Sequence, residues 1–412
     1  MRILFTNQLY GQGLSSGHNL YELAQYLVKE AGHEVHVLCG LAGYDGSLSD
    51  LPSSQLEEGV HVHRTRWARF GKATMPARLA DYSAFMLATL RELLAARRYD
   101  VIVNLTDPPV APWAGTLMAR IYGVPQIIWS MDVHPDAMLE LGLMSPGNPA
   151  ARVLSRAAQL SFTGADAVVA VGRCMRERLI DKGCRPERVH VITVWNDRNE
   201  LAPLEREENP LRRELGLTGK TVFMYSGNIG LMHEFQDILD AALVLQDRHD
   251  IAFLFVGQGR RFTEIEEFQK KHALPNLLIR PYFPREKLRE SLSVGDVHLI
   301  TLCEKAVGVS VPGKLYSAMA VARPVFFIGP HESEVAITLA ESGAGFCIRP
   351  GDVAGLTARI LETAQNSAGL KRMGEAGRDE FVAKYEREVC CKRWTELIEN
   401  TARTGGRHRG RP

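Results

Sequence analysis

The chain has 412 residues, too many for one core and enough for two or three domains. Hydrophobic residues make up 45% and charged residues 24%, and no apolar run approaches roughly eighteen residues, which sets aside both a disordered and a membrane-spanning chain. A formal net charge of +1 sets aside a globally basic nucleic-acid binder.

The seven cysteines are scattered, with no Cys-x-x-Cys. This pattern argues against structural zinc and for a reducing cytoplasm. The N-terminus turns polar at Asn7 and Gln8 and lacks the long apolar region of a signal peptide. The sequence predicts a first strand over Arg2–Thr6 and a helix over Asn19–Ala31, with Leu20, Leu23, Tyr26 and Leu27 on one face. Between them, Tyr10 to His18 form a glycine-rich loop after a parallel strand, where open α/β sheets place ligands. Gly17 falls out of Gly-x-Gly-x-x-Gly spacing, and no acid closes the next strand, Glu34–Cys39, so a dinucleotide cofactor is not expected.

Val60–Arg64 reads as a strand alternating Val and His. From Trp67 to Arg98 the sequence predicts an amphipathic helix packed on the sheet. Arg64, Arg66, Arg69, Lys72 and Arg78, upstream of the periodic Leu79, Tyr82, Met86, Leu90 and Leu93, leave open a second reading, a basic edge beside aromatics lying on a membrane surface. Strands over Asp100–Leu105 and Gln126–Trp129 lead into polar turns, Thr106 to Pro109 and Ser130 to Asp136, on the same sheet edge. Ala167–Val171 and Val189–Thr193 complete the first half around a helix over Arg173–Lys182. The polar, aperiodic stretch Arg198–Pro210 marks the domain break.

The second half repeats the alternation, with strands over Thr221–Tyr225, Ile251–Val256, Leu277–Arg280, Val297–Thr301 and Val325–Ile328. The expected organisation is a first domain over 1–197, a linker over 198–210 and a second domain over 211–388. A C-terminal helix over 389–401 and a disordered basic tail over 402–412 follow. Two doubly wound α/β domains joined this way are expected to enclose a cleft for a polar ligand.

Three segments at strand ends carry the chemistry. Ser226-Gly227-Asn228-Ile229-Gly230 and Val256-Gly257-Gln258-Gly259-Arg260-Arg261 bring backbone amides and two cations. Pro312-Gly313-Lys314 opens a helix with a lysine in its first turn, which opposes the dipole unless an anion such as phosphate fills the site. The same window also reads as an ordinary helix with a solvated lysine. Together the segments suggest a diphosphate site that needs no metal and no cofactor.

In order and wording, these segments resemble the retaining glycosyltransferases of the GT-B fold, glycosyltransferase family 4, especially the bacterial surface-polysaccharide branch that includes fucosamine and colanic-acid transferases. Matching stretches are Tyr225 to Gly230, Val256 to Gly259, Val311 to Tyr316 and Ser333-Glu334 with Gly343-Ala344-Gly345. In the first half, the loop before His18, Asp107-Pro108-Pro109 and Asp132-Val133-His134-Pro135 also match. The resemblance runs from Met1 to about Asn400.

It implies two Rossmann-like domains, a nucleotide-diphospho-sugar donor in the second and an acceptor in the first. Gly227, Asn228, Gly230, Pro312, Gly313 and Lys314 would hold the diphosphate. Arg260, Arg261 and Tyr282 would flank the nucleotide, and Glu334 would bond ribose or sugar hydroxyls. Asp132 and His134 would lie at the transferring carbon, and Gly17, His18 and Asp107 would meet the acceptor. The implied reaction is hexosyl or N-acetylhexosaminyl transfer, from a UDP- rather than a GDP-sugar, to a glycan or polyprenyl-linked acceptor. It would take place in the cytoplasm, with peripheral inner-membrane contact. The family's paired glutamates are replaced by Val309 and Ser317. This keeps a nucleotide-sugar 2-epimerase and a catalytically dead binding subunit as alternative readings.

Overall fold

The computed structural model describes residues 1–12, 16–40, 51–65, 83–91, 94, 98–109 and 111–405, apart from the Met118 side chain. It divides into two compact units. The first comprises the chain up to Thr193, the short segment Gly308–Ser310 and the residues from Cys390 onward; the second is Val194–Val307 with Val311–Val389.

The first unit is built on β1 (Arg2–Thr6), β2 (Glu34–Gly40), β3 (Ser54–Glu57), β4 (Val60–Thr65), β5 (Val101–Leu105), β6 (Gln126–Ser130), β7 (Ala167–Ala170) and β8 (Val189–Val191). They order as β3-β4-β2-β1-β5-β6-β7-β8, parallel throughout except for the antiparallel β3–β4 pair. Strands β5 and β6 are buried along their whole length, as expected of continuous apolar runs covered on both faces. Four polar side chains inside this core satisfy one another. Asn104 Nδ2 donates to Thr6 Oγ1 at 2.6 Å, Gln126 Nε2 donates to Asn104 Oδ1 at 2.7 Å, and Thr116 Oγ1 donates to Gln126 Oε1 at 2.9 Å. Such a network fixes the register of three neighbouring strands without leaving a buried group unpaired.

The second unit is a six-stranded parallel sheet of β9 (Thr221–Ser226), β10 (Ile251–Val256), β11 (Leu277–Arg280), β12 (Val297–Thr301), β13 (Val325–Ile328) and β14 (Gly345–Ile348). Its order is β11-β10-β9-β12-β13-β14, so the winding reverses between β9 and β12. Phe223, Phe253, Phe255 and Phe326 are fully buried on one side of this sheet. Each contributes roughly 1.5–3 kcal/mol by leaving water. Ligands of doubly wound sheets bind at the carboxyl ends of strands beside such a reversal.

Several boundaries differ from the sequence expectations. The first unit ends at Thr193 rather than Asp197, and residues 198–210 belong to the second unit. They are no free linker, because arginines hold their carbonyls. Arg289 donates to Ala202 and Pro203, Arg323 to Leu204, and Arg378 to Arg198 and Leu201. Leu201 is buried among apolar side chains of the same unit. The stretch is polar because most of its side chains, among them Arg198, Asn199, Glu200, Glu205, Glu207 and Glu208, are exposed, while its backbone is held by the arginines. The last helix, Arg387–Gly405, runs past the expected end at Thr401, and residues 406–412 lie outside the described residues. In the first unit its Trp394 ring meets Trp129 at 4.5 Å. Elements that were not anticipated include β3, the short helices Asp136–Glu140 and Pro210–Glu214, and the helix Pro149–Gly164, whose buried residues are Ala151, Ser161 and Phe162. Most of the segment from Trp67 to Arg98 lies outside the described residues; 83–91 is helical, with Phe85 buried and Leu87 exposed.

Candidate active site

The second unit brings the glycine segments together at the ends of β9 and β10. Gly227 N donates to Val256 O at 2.9 Å, Ile229 N to Gln258 O at 2.9 Å, and Gly257 N to Arg280 O at 3.0 Å. The two turns are therefore laced to each other and to the end of β11. Gly227 and Gly257 sit at φ +132 and +149, a region side chains avoid. Space is refused as well. A Cβ on Gly257 would lie 2.1 Å from Gly227 O, and one on Gly227 would lie 2.5 Å from Lys314 Cε. Asn228 lies between the glycines, its carbonyl accepting from the Tyr225 hydroxyl at 2.7 Å.

Lys314 reaches into this cradle. Its Nζ donates to His233 Nε2 at 3.0 Å, points at Asn228 O at 3.4 Å and stands 4.7 Å from the centre of the Tyr225 ring. His233 Nδ1 lies 2.6 Å from the carbonyl of Thr301, the last residue of β12. A carbonyl can only accept, so the proton sits on Nδ1 and Nε2 offers a lone pair to the amine. Burial first, then the nearby Lys314 charge, drive the imidazole down to about 3, so it stays neutral. Burial likewise pushes the Lys314 ammonium down to about 7. An ammonium has three N–H donors, and two are directed at protein acceptors here. The third can serve an incoming anion, and the anion's charge would restore the lysine proton. The sequence analysis passed over His233, whose partner Thr301 is 68 positions away. A histidine closing a glycine turn just before a helix was the one local signal.

The helix that carries Lys314 is shorter than expected. It spans Lys314–Ala320, seven residues, and begins with no side-chain cap. Leu315 N and Tyr316 N bond back to the carbonyls of Pro312 and Gly313 at 3.3 and 3.2 Å. Two of its opening amides are thereby satisfied within the turn, so the cationic character of the site lies in the Lys314 side chain rather than in a bundle of free amides. Of the two expected arginines, Arg260 is exposed, whereas Arg261 is structurally engaged. Arg261 donates to the His233 carbonyl, pairs with Glu264 at 2.8 Å and lies 5.7 Å over the Phe235 ring. Tyr282 is half exposed beyond β11. Glu334 opens the helix Glu334–Ser342, is 3% exposed, and accepts from Thr338 Oγ1 at 3.3 Å. Ser317 Oγ accepts from Asn196 Nδ2 at 3.3 Å, a packing role in place of a carboxylate.

In the first unit, the expected acceptor residues follow strand ends that are stitched together. Gln8 N donates to Asp107 O at 2.8 Å, and Thr106 Oγ1 accepts from Met131 N and Asp132 N at 3.1 and 3.4 Å. Asp107 and Asp132 thus stand on adjoining turns. Val133 N donates to Val309 O at 2.9 Å beside the Asp132–Ser310 bridge, which anchors Gly308–Ser310 in this unit. Val309 itself is buried, an apolar plug that offers no carboxylate. His134 is half-buried, and its Nδ1 has no hydrogen-bond partner among the described residues. Gly17 lies in the first turn of the helix Ser16–Lys29 so close to Leu9 that a Cβ would meet its carbonyl carbon at 2.8 Å. His18 follows on that helix, 3.8 Å from Glu22. Asp136, which opens the short helix Asp136–Glu140 after the Asp132 turn, is spent on ion pairs with Arg178 at 2.9 Å and Lys182 at 2.7 Å.

Residues 16–195 match the family described as "Glycosyl transferase 4-like domain". Over 324 residues the chain is 28% identical to the "Probable glycosyltransferase WbjE" of Pseudomonas aeruginosa, covering 78% of this chain and 79% of that one. Over 381 residues it is 26% identical to a colanic acid biosynthesis glycosyl transferase, WcaI, of Escherichia coli (strain K12), whose assignment is itself provisional, covering 87% and 90%. Among solved structures, HepE of Anabaena in complex with UDP and glucose superposes with a TM-score of 0.72 at 16% identity, covering 97% of this chain and all of that one. Sucrose-phosphate synthase from Thermosynechococcus elongatus gives 0.77 at 13% identity, covering 97% and 98%. The structural likenesses carry the GT-B fold, and the sequence likenesses carry the activity class, a glycosyltransferase that is similar over residues 16–195 to the glycosyl transferase 4-like domain.

Proposed function

We propose that this enzyme moves a sugar from a UDP-linked donor to a glycan or polyprenyl-linked acceptor during synthesis of a bacterial surface polysaccharide. The carrying observation is Lys314 Nζ, held by His233 and Asn228 above the glycine turns of β9 and β10. That arrangement offers a cation and close backbone at a strand-end reversal, the requirements of a diphosphate. The structural neighbour HepE holds UDP and glucose, and WcaI is named for colanic acid, which supports the donor and the product class.

In this reading the leaving diphosphate gains negative charge as the anomeric bond breaks. Lys314 and the amides at Asn228 and Gly230 stabilise that charge more in the transition state than in the ground state, while Gly227, whose own amide is held by the Val256 carbonyl, lets the backbone come close. Protein cations do this work, so the transfer needs no resident metal. Pro312 and Gly313 set the angle at which Lys314 leaves the chain. Arg260 and Tyr282 flank the nucleotide, Arg261 braces His233, and Glu334 meets ribose or sugar hydroxyls. Asp132 and His134 serve the reacting centre, Gly17, His18 and Asp107 the acceptor, and configuration is retained. The sugar is a hexose or N-acetylhexosamine, transferred on the cytoplasmic face of the inner membrane. Among the described residues no helix is long and apolar enough to cross a membrane, so contact with the bilayer would be peripheral.

A hydrolysis and transfer screen across UDP- and GDP-sugars, reading nucleotide release and stereochemistry, tests this. Release from UDP-sugars that increases with a lipid-linked or glycan acceptor supports it. Interconversion of free nucleotide sugar would instead favour an epimerase, and binding without turnover a dead subunit.

A further inference from the structure

The outward face of β2 and β4 in the first unit concentrates nitrogen and oxygen ligands that glycosyl transfer does not use. The two strands run parallel, with His36 opposite His61 and Leu38 opposite His63. Alternation buries Val35, Val37, Val60 and Val62 on one side and turns Glu34, His36, His61 and His63, all half-buried, to the other. The His36 ring stacks on His61 at 4.6 Å and 12° and on His63 at 5.5 Å and 5°, with the Tyr99 edge at 5.2 Å. His36 Nε2 lies 3.1 Å from Glu34 Oε1, and its Nδ1 lies 3.2 Å from His63 Nε2. His63 Nδ1 is 3.4 Å from Ser54 Oγ. Glu34 keeps Oε2 for Arg2 Nε at 2.7 Å, which turns Oε1 toward the rings. One ligand atom from each of Glu34, His36 and His61 lies within 4.8 Å of the others.

We propose that Glu34, His36 and His61 form a binding site for a divalent transition-metal ion of the zinc class, with His63 holding the far nitrogen of His36. Two imidazoles and a carboxylate are a donor set that such ions favour. Ligands at about 2.0–2.2 Å from a tetrahedral ion stand roughly 3.3–3.5 Å apart, so the Glu34–His36 pair is already close to spacing. A rotation of the His61 ring out of its stack on His36 brings its nitrogen to the same ion. Proton positions follow from the bonds. Without metal, the His36 Nε2 proton is given to Glu34, and His36 Nδ1 accepts from His63 Nε2. With metal on Nε2, His36 carries its proton on Nδ1 and donates to His63 Nε2. His63 then carries its own proton on Nδ1, facing Ser54. Neutral rings thus exchange tautomers, and no proton is released. His63 is a positioning residue, the hydrogen-bonded outer partner that metal-bound histidines use. Arg2 cancels part of the carboxylate charge, and the site has three protein ligands, so the affinity belongs in the micromolar range. An ion there ties β2 to β4 and stabilises the folded state by mass action.

The test uses the full chain, free of any histidine tag and stripped with a chelator. Calorimetry with Zn²⁺ alone should give one equivalent bound with a Kd of about 1–10 μM, and saturation should raise Tm. His36→Ala and His61→Ala should each weaken binding by about 100-fold or more, Glu34→Gln by about 10-fold or more, and His63→Gln by about 10–100-fold. The exposed His249→Ala should leave binding unchanged. Equal unfolding midpoints in chelator show that the variants are folded. Co²⁺ substitution should give a nitrogen- and oxygen-ligated spectrum. Absence of binding at about 100 μM Zn²⁺ overturns the proposal. Unchanged binding in the His36→Ala, His61→Ala double variant, or a thiolate charge-transfer band that places the ion on cysteine, overturns it as well.

Discussion

Lys314 Nζ stands 3.0 Å from His233 Nε2, while the same imidazole bonds through Nδ1 to the Thr301 carbonyl at 2.6 Å. This pair joins the turn after β9, the end of β12 and the helix Lys314–Ala320 into one device. The carbonyl fixes the tautomer, the tautomer presents a lone pair, and the lone pair aims the amine. Burial holds the amine near neutrality until an anion arrives.

The first consequence is a pH dependence of donor affinity. The Lys314 pKa is about 7 in the ligand-free protein, and a bound diphosphate raises it. Affinity should be flat below that value and fall by up to tenfold per pH unit above it, until the bound-state pKa is passed. A nucleotide-sugar is the proper probe, because its diphosphate diester does not titrate there. Lys314→Arg should abolish the slope, since a guanidinium stays charged. Equal slopes in both proteins would assign the titration to another group.

A second consequence concerns acid stability of the second unit. His233 and His298 are buried, and their folded pKa values are lowered from 6.5 to about 3 and about 4, by burial first. Between those values and 6.5 the unfolded chain binds more protons, so stability is full above 6.5 and is lost as pH falls. His298 Nε2 bonds to the Leu292 carbonyl at 2.8 Å, a bond that a Gln side chain can reproduce. Urea unfolding at pH 7 and about pH 4.5 should show a smaller loss for His298→Gln than for wild type. An identical loss would remove His298 from the account.

Two glycines separate scaffold from site. Gly257→Ala drives a Cβ into the Gly227 backbone, which has nowhere to go, and should destabilise by about 1–3 kcal/mol or more while abolishing nucleotide binding. Gly227→Ala strains the same kind of φ but meets the end of the flexible Lys314 side chain. It should lose nucleotide affinity more than its fold. Thermal melts beside calorimetric titrations check the contrast, and equal losses of both quantities in both variants would contradict it.

Much of this was legible in sequence where burial is two-sided. Strands β9, β10, β12 and β13 are apolar runs because both faces are covered, and the turns that follow them announce themselves by glycine. One-sided elements were harder. The tetrapeptide Ser54–Glu57 has no apolar period, and the helix Pro149–Gly164 leaves its Val153 and Leu160 exposed, so its apolar residues do not mark a buried face. Lys314 was visible by its place after Pro312-Gly313, but the argument from helix amides was too strong for a seven-residue helix whose first amides are satisfied locally. His233 was not visible, because its meaning comes from Thr301 and Lys314, which only folding brings near.

Peripheral membrane contact is testable without the transfer reaction. The exposed Leu87, in the helical stretch 83–91, and Leu94 follow the basic residues from Arg64 onward. Sedimentation with anionic vesicles and release by salt are expected, because ionic attraction is screened within about a Debye length. Equal recovery with neutral and anionic vesicles would reduce the segment to ordinary packing.

The most direct test of the diphosphate site is Lys314→Ala, followed by calorimetry with UDP and GDP and by single-turnover transfer. Removing a half-buried amine whose charged form is disfavoured should leave the fold intact or slightly more stable. Nucleotide binding should weaken by about 1.5–3 kcal/mol, the worth of a charge-assisted hydrogen bond. Turnover should fall further than binding, because leaving-group charge grows in the transition state. Unchanged nucleotide affinity together with unchanged turnover would contradict the account and move the phosphate site away from Lys314.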